Sequence, residues 1–571
     1  MRRIDPVLCV ARMMLCLVAS GSLVECGSFL AGPSGGGKPN PVPQIASLNP
    51  SSTIAGSQGF TLTVTGTNFT SDSLVLWNGN VRSTTFVSSA ALQASIAASD
   101  IGSPGSEMVT VSTPGPGGGS SAALAFTINP APPGVTQTIS LGANDATANG
   151  NSHAPALNAN GRFVAFVSEA TNLITPSTNF AEAYVRDTCL SAHGCMPSTK
   201  IVSAASGGQI EGNSLGGASP SISADGRFIS FLSTATNLVT PNTSIQQGYL
   251  RDTCSGMSSC TPLTVLASVA QNGVEPNGAA SDLMLSSNSC NAAFTSTGTN
   301  VVSGVTTPNE VYLSSCSSNG PSGGFTTSSL VSADSLGVPG NQGGQQPAIS
   351  ADGRFVVFAS SSTNLPRAPG GGLQQIYLRD ACTGASNGCA PSTTLVSVDN
   401  SGNPLIGTNQ FPAVSHDGRF AAFSTEVPLS GGGITSLVYL RDNCVSSGGP
   451  VTNCSPSTIT ISVAADGSAA NGPSDSRRHA VSSDGRFVVF SSSATNLIAG
   501  GNPAAQVFVR DTCQSSNGKV SGCTPRTVLI SVDSAGNPIG GFDAAISDDG
   551  HYAAFENETT IILILFAATG F

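Results

Sequence analysis

The sequence predicts an all-β chain with two regions, and three observations support this prediction. Gly, Pro, Ser, Thr and Asn interrupt the chain every few residues, with 66 Gly and 35 Pro in 571 residues, as in chains of short strands joined by turns. No long apolar stripe with the helical period occurs after the N-terminus. From residue 137 onward, a segment of about 65 residues repeats, and each copy contains strand-like runs.

The composition also limits the classes of partner and cofactor. Only 9% of the residues are charged, and the formal net charge is −11. Nucleic acids and anionic membrane surfaces require concentrated Lys and Arg, so neither is expected as a main partner. Acidic residues are not clustered as in a calcium loop, and the cysteines are spaced more widely than zinc ligands. We therefore expect no metal and no cofactor.

Residues 1–25 are predicted to be an export signal. Basic residues precede an apolar run that is too short to span a membrane comfortably. The run ends in LVEC, which resembles the lipobox of bacterial lipoproteins and implies lipidation of Cys26, although Glu25 stands where a small residue is usual. Cleavage after the small residues Ala19 to Gly21 is the alternative. We expect an exported protein of the periplasm, the outer membrane (lipid-anchored) or the extracellular space, whose membrane contact is at most a lipid anchor.

Residues 26–42 are predicted to be a Gly/Pro-rich linker, and residues 43–129 a first folded unit. Its segments TLTVTG and MVTVST alternate as half-buried strands do. The unit resembles an IPT/TIG immunoglobulin-like domain in a set of signature positions and in a late Pro-Gly-Gly turn: Ile45, Leu48, Pro50, Gly56, Phe60, Thr61, Gly66, Asn68 and Phe69. The resemblance implies a β-sandwich that acts as a spacer or contacts proteins. Residues 130–136 are expected to form a stiff Pro-rich linker.

The segment SADGRFVVFASSSTNL, residues 350–365, has close copies along the rest of the chain. The position of its Arg recurs every 63 to 67 residues, at Arg162, Arg227, Cys290, Arg354, Arg419, Arg486 and His551. In the fourth copy, the runs QPAIS, RFVVFAS, QIYLRD and TTLVSV give four strands, which is typical of a propeller blade. The copies resemble the TolB-type, WD-like (PD40) repeat with its S-x-D-G-x-x-(V/A)-x-F-x-S core. The resemblance implies a β-propeller over residues 137–571.

The two ends of the repeat region complement each other. Ser140 precedes Arg162 by 22 residues, the spacing that separates a fourth strand from the next Arg in the middle repeats. The last repeat ends after three strand-like runs. We therefore predict that Gln137–Leu141 completes a seventh blade and removes the exposed sheet edge. A ring of six or eight blades is the alternative.

The repeated Asp-Gly-Arg-Phe suggests a structural role for its Arg. Asp-Gly between two apolar runs indicates a hairpin, because Gly readily takes a positive φ. The Arg then begins the second strand, beside an Asp that ends the antiparallel third strand. We expect five charge-assisted pairs: Arg162–Asp187, Arg227–Asp252, Arg354–Asp380, Arg419–Asp442 and Arg486–Asp511.

The cysteine pattern predicts disulfides. Of 15 Cys, twelve lie between Cys189 and Cys523, and an even number in an exported chain favours bridges. The third repeat lacks both the Arg and the Arg-Asp, and Cys290 and Cys316 occupy the positions argued to be adjacent, so these two are expected to pair. The predicted bridges are Cys189–Cys195, Cys254–Cys260, Cys290–Cys316, Cys382–Cys389, Cys444–Cys454 and Cys513–Cys523.

No catalytic residue is predicted. Three matches to Gly-x-Ser-x-Gly, beginning at residues 32, 212 and 320, do not lie between a strand and a helix as a nucleophile elbow must. His153 and His479 fall on predicted first strands, which would line the channel, and are candidates for the channel wall. The polar, variable loops between second and third strands form the candidate recognition face, together with the connections between repeats.

The sequence thus favours a non-enzymatic binding or scaffold protein of the envelope or the extracellular space. It would present a disulfide-linked propeller to a protein partner or another ligand, which the sequence does not identify. The alternative is a hydrolase or lyase with its site at the channel mouth.

Overall fold

The computed structural model describes residues 39–566, except for 55–59, 102–104, 130–134, 143–144, 191, 193–194, 208–211, 215, 244, 258, 386–387, 429–432, 465, 499–500, 504 and 534–535. The predicted export signal, Cys26 and most of both predicted linkers lie outside the described residues. The described residues form strands and turns, with two short 3-10 turns at Ala98–Ile101 and Gln271–Gly273, so the all-β prediction is confirmed. None of their helices is long and apolar enough to cross a membrane.

The N-terminal unit is a sandwich of two sheets. Its strands are β1 (Gln44–Asn49), β2 (Ser52–Ile54), β3 (Phe60–Thr67), β4 (Leu74–Trp77), β5 (Asn80–Val81), β6 (Thr84–Ser88), β7 (Ala91–Ile96), β8 (Gly105–Thr113), β9 (Gly119–Ser120) and β10 (Leu124–Asn129). One sheet has the order β1-β3-β7-β6 and the other β2-β10-β8-β4-β5, with β9 beside β8. Alternate residues of the strands face a shared core, in which the ring of Trp77 lies 5.1 Å from that of Phe126.

Two of the signature residues in this sandwich have clear physical reasons. A Cβ on Gly66 would lie 1.9 Å from the carbonyl oxygen of Gln44, so only Gly allows β1 and β3 to approach at this point. Asn68 has φ of 68° and its side chain donates to the carbonyl of Val42, which fixes the turn after β3.

Residues 135–566 form four-stranded antiparallel sheets, of which seven are seen in the described part of the chain. They are sheet 1 (β12 Ser152–Leu157, β13 Phe163–Ser168, β14 Glu182–Asp187, β15 Ser198–Ile201), sheet 2 (β16 Gly216–Ile222, β17 Phe228–Ser233, β18 Gln247–Asp252, β19 Leu263–Leu266), sheet 3 (β20 Ala280–Leu285, β21 Asn291–Ser296, β22 Glu310–Ser317, β23 Gly320–Leu330), sheet 4 (β24 Gln345–Ile349, β25 Phe355–Ser360, β26 Gln375–Asp380, β27 Ser392–Leu395), sheet 5 (β28 Asn409–Val414, β29 Phe420–Pro428, β30 Ile434–Asp442, β33 Ser457–Thr460), sheet 6 (β34 Ser474–Asp475, β35 Phe487–Ser492, β36 Gln506–Asp511, β39 Arg526–Leu529) and sheet 7 (β40 Phe542–Ile546, β41 Tyr552–Asn557, β42 Thr560–Leu565, β11 Val135–Thr138). Small hairpins within two cysteine loops supply β31 (Val445–Ser446), β32 (Gly449–Pro450), β37 (Gln514–Ser515) and β38 (Gly518–Lys519).

The second strand of each sheet is buried on both faces. All six residues of β25, from Phe355 to Ser360, are buried, and the pattern recurs in the other repeats. Side chains on one face of the strand pack against sheet 3, where Phe358 shares a core with Val311 and also stacks on Tyr377 of its own sheet at 5.7 Å. Those on the other face pack against sheet 5, where Phe355 shares a core with Phe423. The continuous apolar run therefore indicates a strand between two sheets rather than the half-exposed strand that alternation predicts.

Backbone hydrogen bonds link the first strands of successive sheets near their Asp-Gly turns. In chain order the bonds run from the N–H of Ala159 to Ala224 O, Ala224 to Ser287, Asn288 to Ala351, Ala351 to His416, His416 to Ser483 and Ser483 to Asp548, at 2.9–3.3 Å. Asp549 of sheet 7 then donates to Ala159 of sheet 1 at 3.1 Å. The arrangement of the sheets is propeller-like.

Sheet 7 is assembled from both ends of the repeat region. The strand β11 pairs with β42, with Val135 opposite Leu565 and Thr138 opposite Ile562. The predicted boundaries of this strand were wrong by two residues at its start, since it spans Val135–Thr138 rather than Gln137–Leu141, and the end of the predicted linker is part of it. The apolar run at the end of the chain is buried as the third strand of this sheet.

Candidate functional site

The five predicted pairs of Arg and Asp lie at the turn ends of their sheets. In each, the Nε and Nη2 atoms of the Arg donate to the two carboxylate oxygens of the Asp at 2.6–2.9 Å: Arg162–Asp187, Arg227–Asp252, Arg354–Asp380, Arg419–Asp442 and Arg486–Asp511. Each guanidinium also stacks on the Phe that follows it, 4.6–4.9 Å from the ring centre. Burial tends to raise the pKa of Asp252, but hydrogen bonds from Arg227 and from the Cys254 amide outweigh this and lower it.

The other residues of the repeated motif complete this support. Asp225 accepts hydrogen bonds from the Arg227 amide at 3.0 Å and from the Ser223 hydroxyl at 2.5 Å, which holds the turn. Gly226 has φ of 77°, and a Cβ there would lie 2.2 Å from the ring of Phe163 in the preceding sheet. The motif therefore joins the hairpin, its own third strand and the neighbouring sheet.

All six predicted cysteine pairs are disulfide-bonded, with Cα–Cα distances of 4.9–5.8 Å. Five of the bridges close the loop between the third and fourth strands. The sixth, Cys290–Cys316, joins the second and third strands of sheet 3, and the Cys316 amide donates to the Cys290 carbonyl at 2.8 Å. The bridge lies where five of the other sheets have their ion pair.

Sequence reasoning missed the role of the second Arg, the one within Arg-Asp. Its guanidinium is buried against the preceding sheet: Arg251 donates to the carbonyl oxygens of Ala204 and Ala205 at 3.0 and 2.8 Å. Burial lowers the pKa of Arg251 to about 10. In sheet 3, Ser314 replaces this Arg and still donates to the preceding sheet, at 2.7 Å from Ala267 O. Both residues of Arg-Asp are therefore placed by the fold and lie away from the channel.

The strand directions define two faces of the repeat region. Asp-Gly turns and the disulfide loops lie at one end of the sheets, called here the turn face. Loops between second and third strands and the connections between repeats lie at the other end, called here the loop face. The first strands contact one another around a central channel and run from the loop face to the turn face.

In six first strands, one residue at the loop-face end has a left-handed backbone. These residues are Ala154, Ser219, Asp282, Gln346, Phe411 and Asp543, with φ between 49° and 55°, and each coincides with a shift in strand register. Each stands eight residues before the repeated Arg position. A left-handed non-Gly residue is unfavourable, so its repetition marks a position that the fold requires. These residues surround the channel mouth.

Sheet 6 departs from this pattern. Its first strand is limited to Ser474–Asp475, residues 478 and 479 form a turn, and only the Val481–Val488 bridge follows. The prediction that His479 lies on a strand is therefore wrong, although the residue does line the channel. His153 lies on β12, one residue before Ala154, and does not line the described cavity at the mouth.

Residues 477–479 of sheet 6 place two guanidinium groups in the mouth of the channel. Arg477 stacks on the ring of Phe411 at 4.4 Å, and its Nε lies 3.3 Å from Asp543 Oδ1. Arg478 occupies the position of the left-handed residues and its Nη2 donates to Asp282 Oδ1 across the channel. Sheet 6 therefore contacts sheets 3, 5 and 7 through these two side chains, around a cavity of about 160 Å³.

Two titratable groups at the mouth have altered pKa values. Burial lowers the pKa of His479 to about 4, helped by the charge of Arg478, while a hydrogen bond to the Pro220 carbonyl opposes this, so the ring is neutral at pH 7. Burial raises the pKa of Glu556 to about 7, although the Ala154 amide donates to its carboxylate at 2.7 Å. Asp543 lies beside Glu556 and raises that pKa further.

Towards the turn face lies a second, smaller cavity of about 60 Å³, whose lining combines apolar side chains with polar groups such as Arg478, His479 and Asp548. Its wall includes a ring of side chains five residues before the repeated Arg position: Leu157, Ile222, Leu285, Ile349, Val414, Val481 and Ile546. Below this ring, His416 Nδ1 lies 3.8 Å from Asp548 Oδ2. Polar groups therefore lie on both sides of the apolar ring, and the two Arg side chains that meet Asp282 and Asp543 lie on its loop-face side.

The sandwich can be compared with known domain families. Residues 43–128 match the IPT/TIG domain family. This match confirms the resemblance of the N-terminal unit, and it covers the sandwich from β1 through most of β10. No curated protein is significantly similar to the chain in sequence.

Several solved structures are similar in arrangement at low identity. An auxiliary nutrient binding protein from Bacteroides ovatus is 12% identical, with 92% of this chain and 97% of that chain covered and a TM-score of 0.29. The Trypanosoma rangeli sialidase with the inhibitor DANA is 9% identical, covering 76% and 60%, with a TM-score of 0.32. The Penicillium chrysogenum α-L-arabinanase complexed with arabinobiose is 11% identical, covering 76% and 99%, with a TM-score of 0.31.

Proposed function

We propose that this chain is an exported, non-enzymatic binding protein that recognises its ligand at the loop-face mouth of the channel. The IPT/TIG domain acts as a spacer, and lipidation at Cys26 would anchor the protein to the membrane. Six disulfides favour an oxidising compartment such as the periplasm or the extracellular space. The partner is a protein or another ligand that reaches this face.

The scaffold for this function is proposed to be a TolB-type propeller of seven blades, closed by β11. The hydrogen bond from Asp549 to Ala159 supports closure, because it joins the last repeat to the first. The packing of Gly161 against Tyr552 supports it as well, since the same contact joins other successive sheets. Closure leaves the mouth as a rigid ring on which loops vary.

The observation that carries the proposal is the segment of residues 477–479. The neighbouring repeats fill the equivalent positions without placing a cation in the channel. Sheet 6 instead gives up part of a strand and buries Arg478 Nη1 and His479 Nε2, which have no hydrogen-bond partner among the described residues. Single atoms of this kind also occur in other sheets, but here Arg477 Nε, Arg478 Nη1 and His479 Nε2 lie in three consecutive residues at the channel. Such a cluster destabilises a fold, so it favours selection for recognition.

An enzyme remains the second candidate because of one observation. Glu556, whose pKa is about 7, lies beside Asp543 at the same mouth. Two neighbouring carboxyl groups, one of them protonated near neutral pH, are suited to general acid and base chemistry. On this alternative the chain would be a hydrolase or lyase.

The proposal is tested by site-specific photo-cross-linking of the exported protein in envelope extracts. A photoreactive amino acid replaces Leu373 on the loop face or, as the matched control, Met196 on the turn face; both are exposed. We expect cross-links from position 373 that disappear when Arg477→Ala is added, and none that depend on Arg477 from position 196. Cross-links confined to position 196 would refute the proposal. Conversion of the captured ligand by the native chain, lost in Glu556→Gln, would establish the enzyme instead.

A further inference from the structure

The partly exposed guanidinium of Arg477 has an orientation that suits the binding of a planar anionic group. Stacking on Phe411 and the proximity of Asp543 fix its plane, while neither Nη atom donates to another described residue. Its side chain is 41% exposed. A stacked guanidinium loses little freedom on binding and presents parallel N–H donors.

Arg478 provides a second donor in the same cavity. Its Nη2 is occupied by Asp282, whereas its Nη1 is buried and has no hydrogen-bond partner among the described residues. An unpartnered buried donor of a charged group is costly, and an incoming acceptor would relieve that cost. Arg477 and Arg478 both line the cavity of about 160 Å³.

The charges around the cavity select the class of anion. Asp282 and Asp543 balance the two Arg, and His479 is neutral, so these groups together carry almost no net charge. A phosphate or polyanion with two or more charges would be repelled by these carboxylates and by the net charge of −11. A single planar carboxylate carries only one negative charge, which suits the near-zero charge of these groups. Its two oxygens also match the parallel N–H donors of a guanidinium.

We infer that the mouth binds a carboxylate group of its ligand through Arg477 and Arg478, with Phe411 packing against the adjoining apolar part. This inference rests on the proposed function, since it names the ligand chemistry of the same site. The carboxylate belongs either to a small organic acid or to a peptide, because the cavity has room for a group of side-chain size.

The first test compares 4-fluorobenzoate with 4-fluorobenzamide by ¹⁹F NMR titration of the full exported chain. The two probes share shape and differ in charge. The titration is run at pH 6, where Glu556 is mostly protonated. We expect the benzoate to bind at least tenfold more tightly than the amide, in line with loss of a charge-assisted contact. Equal affinities would overturn the inference.

Variants test whether the guanidinium group of Arg477 makes the contact with the carboxylate of the probe. Arg477→Ala is expected to weaken benzoate binding at least tenfold, and Arg477→Lys to restore less than half of that loss in logarithmic units, because Lys keeps the charge without the parallel N–H donors. The control Arg367→Ala removes another Arg, whose side chain contacts Gly402, and is expected to change nothing. Equal weakening by both alanine variants would contradict the inference.

A second arm of the experiment distinguishes a small organic acid from a peptide as the source of the carboxylate. It also tests the carboxylate inference separately from the proposed binding function. Fluorescein-labelled peptides ending in a free or an amidated C-terminal alanine are compared by fluorescence anisotropy. Tighter binding of the free peptide than of benzoate identifies a peptide carboxylate, and the reverse identifies a small acid. If neither peptide nor benzoate binds while Leu373 cross-links persist, the carboxylate inference fails and the binding function stands. If the cross-links fail as well, both fail.

Discussion

Sheets 3 and 6 are two repeats that depart from the common pattern, and they depart in different ways. Sheet 3 loses an Arg and its Asp together and gains Cys290–Cys316 at the same place, so each loss is compensated within the sheet. Sheet 6 keeps its ion pair but inserts Arg477 and Arg478 into the channel, leaving buried polar atoms unpartnered. The change in sheet 3 preserves the fold, whereas the change in sheet 6 is the one on which the proposed recognition site rests. The two sheets meet where Arg478 contacts Asp282.

The comparison of sheets 3 and 6 first requires that the Arg–Asp pair of the other repeats stabilises the fold. Arg419→Leu leaves Asp442 largely buried and unpaired, and we expect it to lower the free energy of unfolding by about 4 kcal/mol. Adding Asp442→Leu should recover part of this loss. Arg162→Leu is the matched control, with a more exposed pair and a loss nearer 1 kcal/mol. Urea unfolding followed by circular dichroism measures these values, and equal losses for Arg419→Leu and Arg162→Leu would show that burial does not decide them.

The compensation in sheet 3 is tested by removing the disulfide. Cys290→Ser with Cys316→Ser should lower the free energy of unfolding by about 3.5 kcal/mol in the chain-entropy account. Restoring the common pattern with Cys290→Arg, Ser315→Asp and Cys316→Thr should recover about 1–3 kcal/mol. Fluorescence of Trp77, the only Trp, reports the N-terminal sandwich separately and should not change. No recovery would mean that the bridge does not substitute for the ion pair.

Glu310 is a buried carboxyl group of sheet 3 at a position where sheet 1 also has a Glu, Glu182, and sheets 2, 4 and 6 have Gln. It is fully buried where sheet 4 has Gln375, and burial raises its pKa to about 7. Because the folded state holds the proton that the unfolded state releases near pH 4.5, stability falls as the pH rises from about 4.5 to 7, by up to about 3 kcal/mol. Glu310→Gln should therefore equal the native chain at low pH and exceed it in stability at pH 8. Gln375→Glu is the converse control and should lose stability at pH 8.

The smallest expected effect on stability concerns the link between the two sheets. Arg478 and Asp282 are each about a quarter exposed, so Asp282→Asn should cost about 1 kcal/mol. The same variant should alter benzoate binding, because Asp282 orients Arg478. A loss of stability above about 3 kcal/mol with unchanged binding would make this pair part of the fold and not of the site.

Much of the local structure followed from the repeat itself. The strands, the Asp-Gly turns, the partners of Arg162 and the pairing of Cys290 all depend on residues within one repeat, where antiparallel geometry sets what is adjacent. Predictions failed where a residue has its contact partner outside its own repeat. The strand β11 begins at Val135 because Leu565, from the other end of the chain, provides its partner. His479 lies in a turn rather than on a strand, and its side chain contacts the Pro220 carbonyl of another sheet.

The sequence by itself determined an all-β chain, an IPT/TIG domain and a repeat whose Arg supports its own hairpin, because period and turn chemistry act over short distances. Only the tertiary structure decided which residues meet at the mouth of the channel. Arg478, Asp282, Phe411 and Asp543 are separated by up to 261 residues and share only their distance from the repeated Arg position. They become one cluster because the first strands of the sheets converge on a common channel, which brings equivalent positions of different repeats within bonding distance.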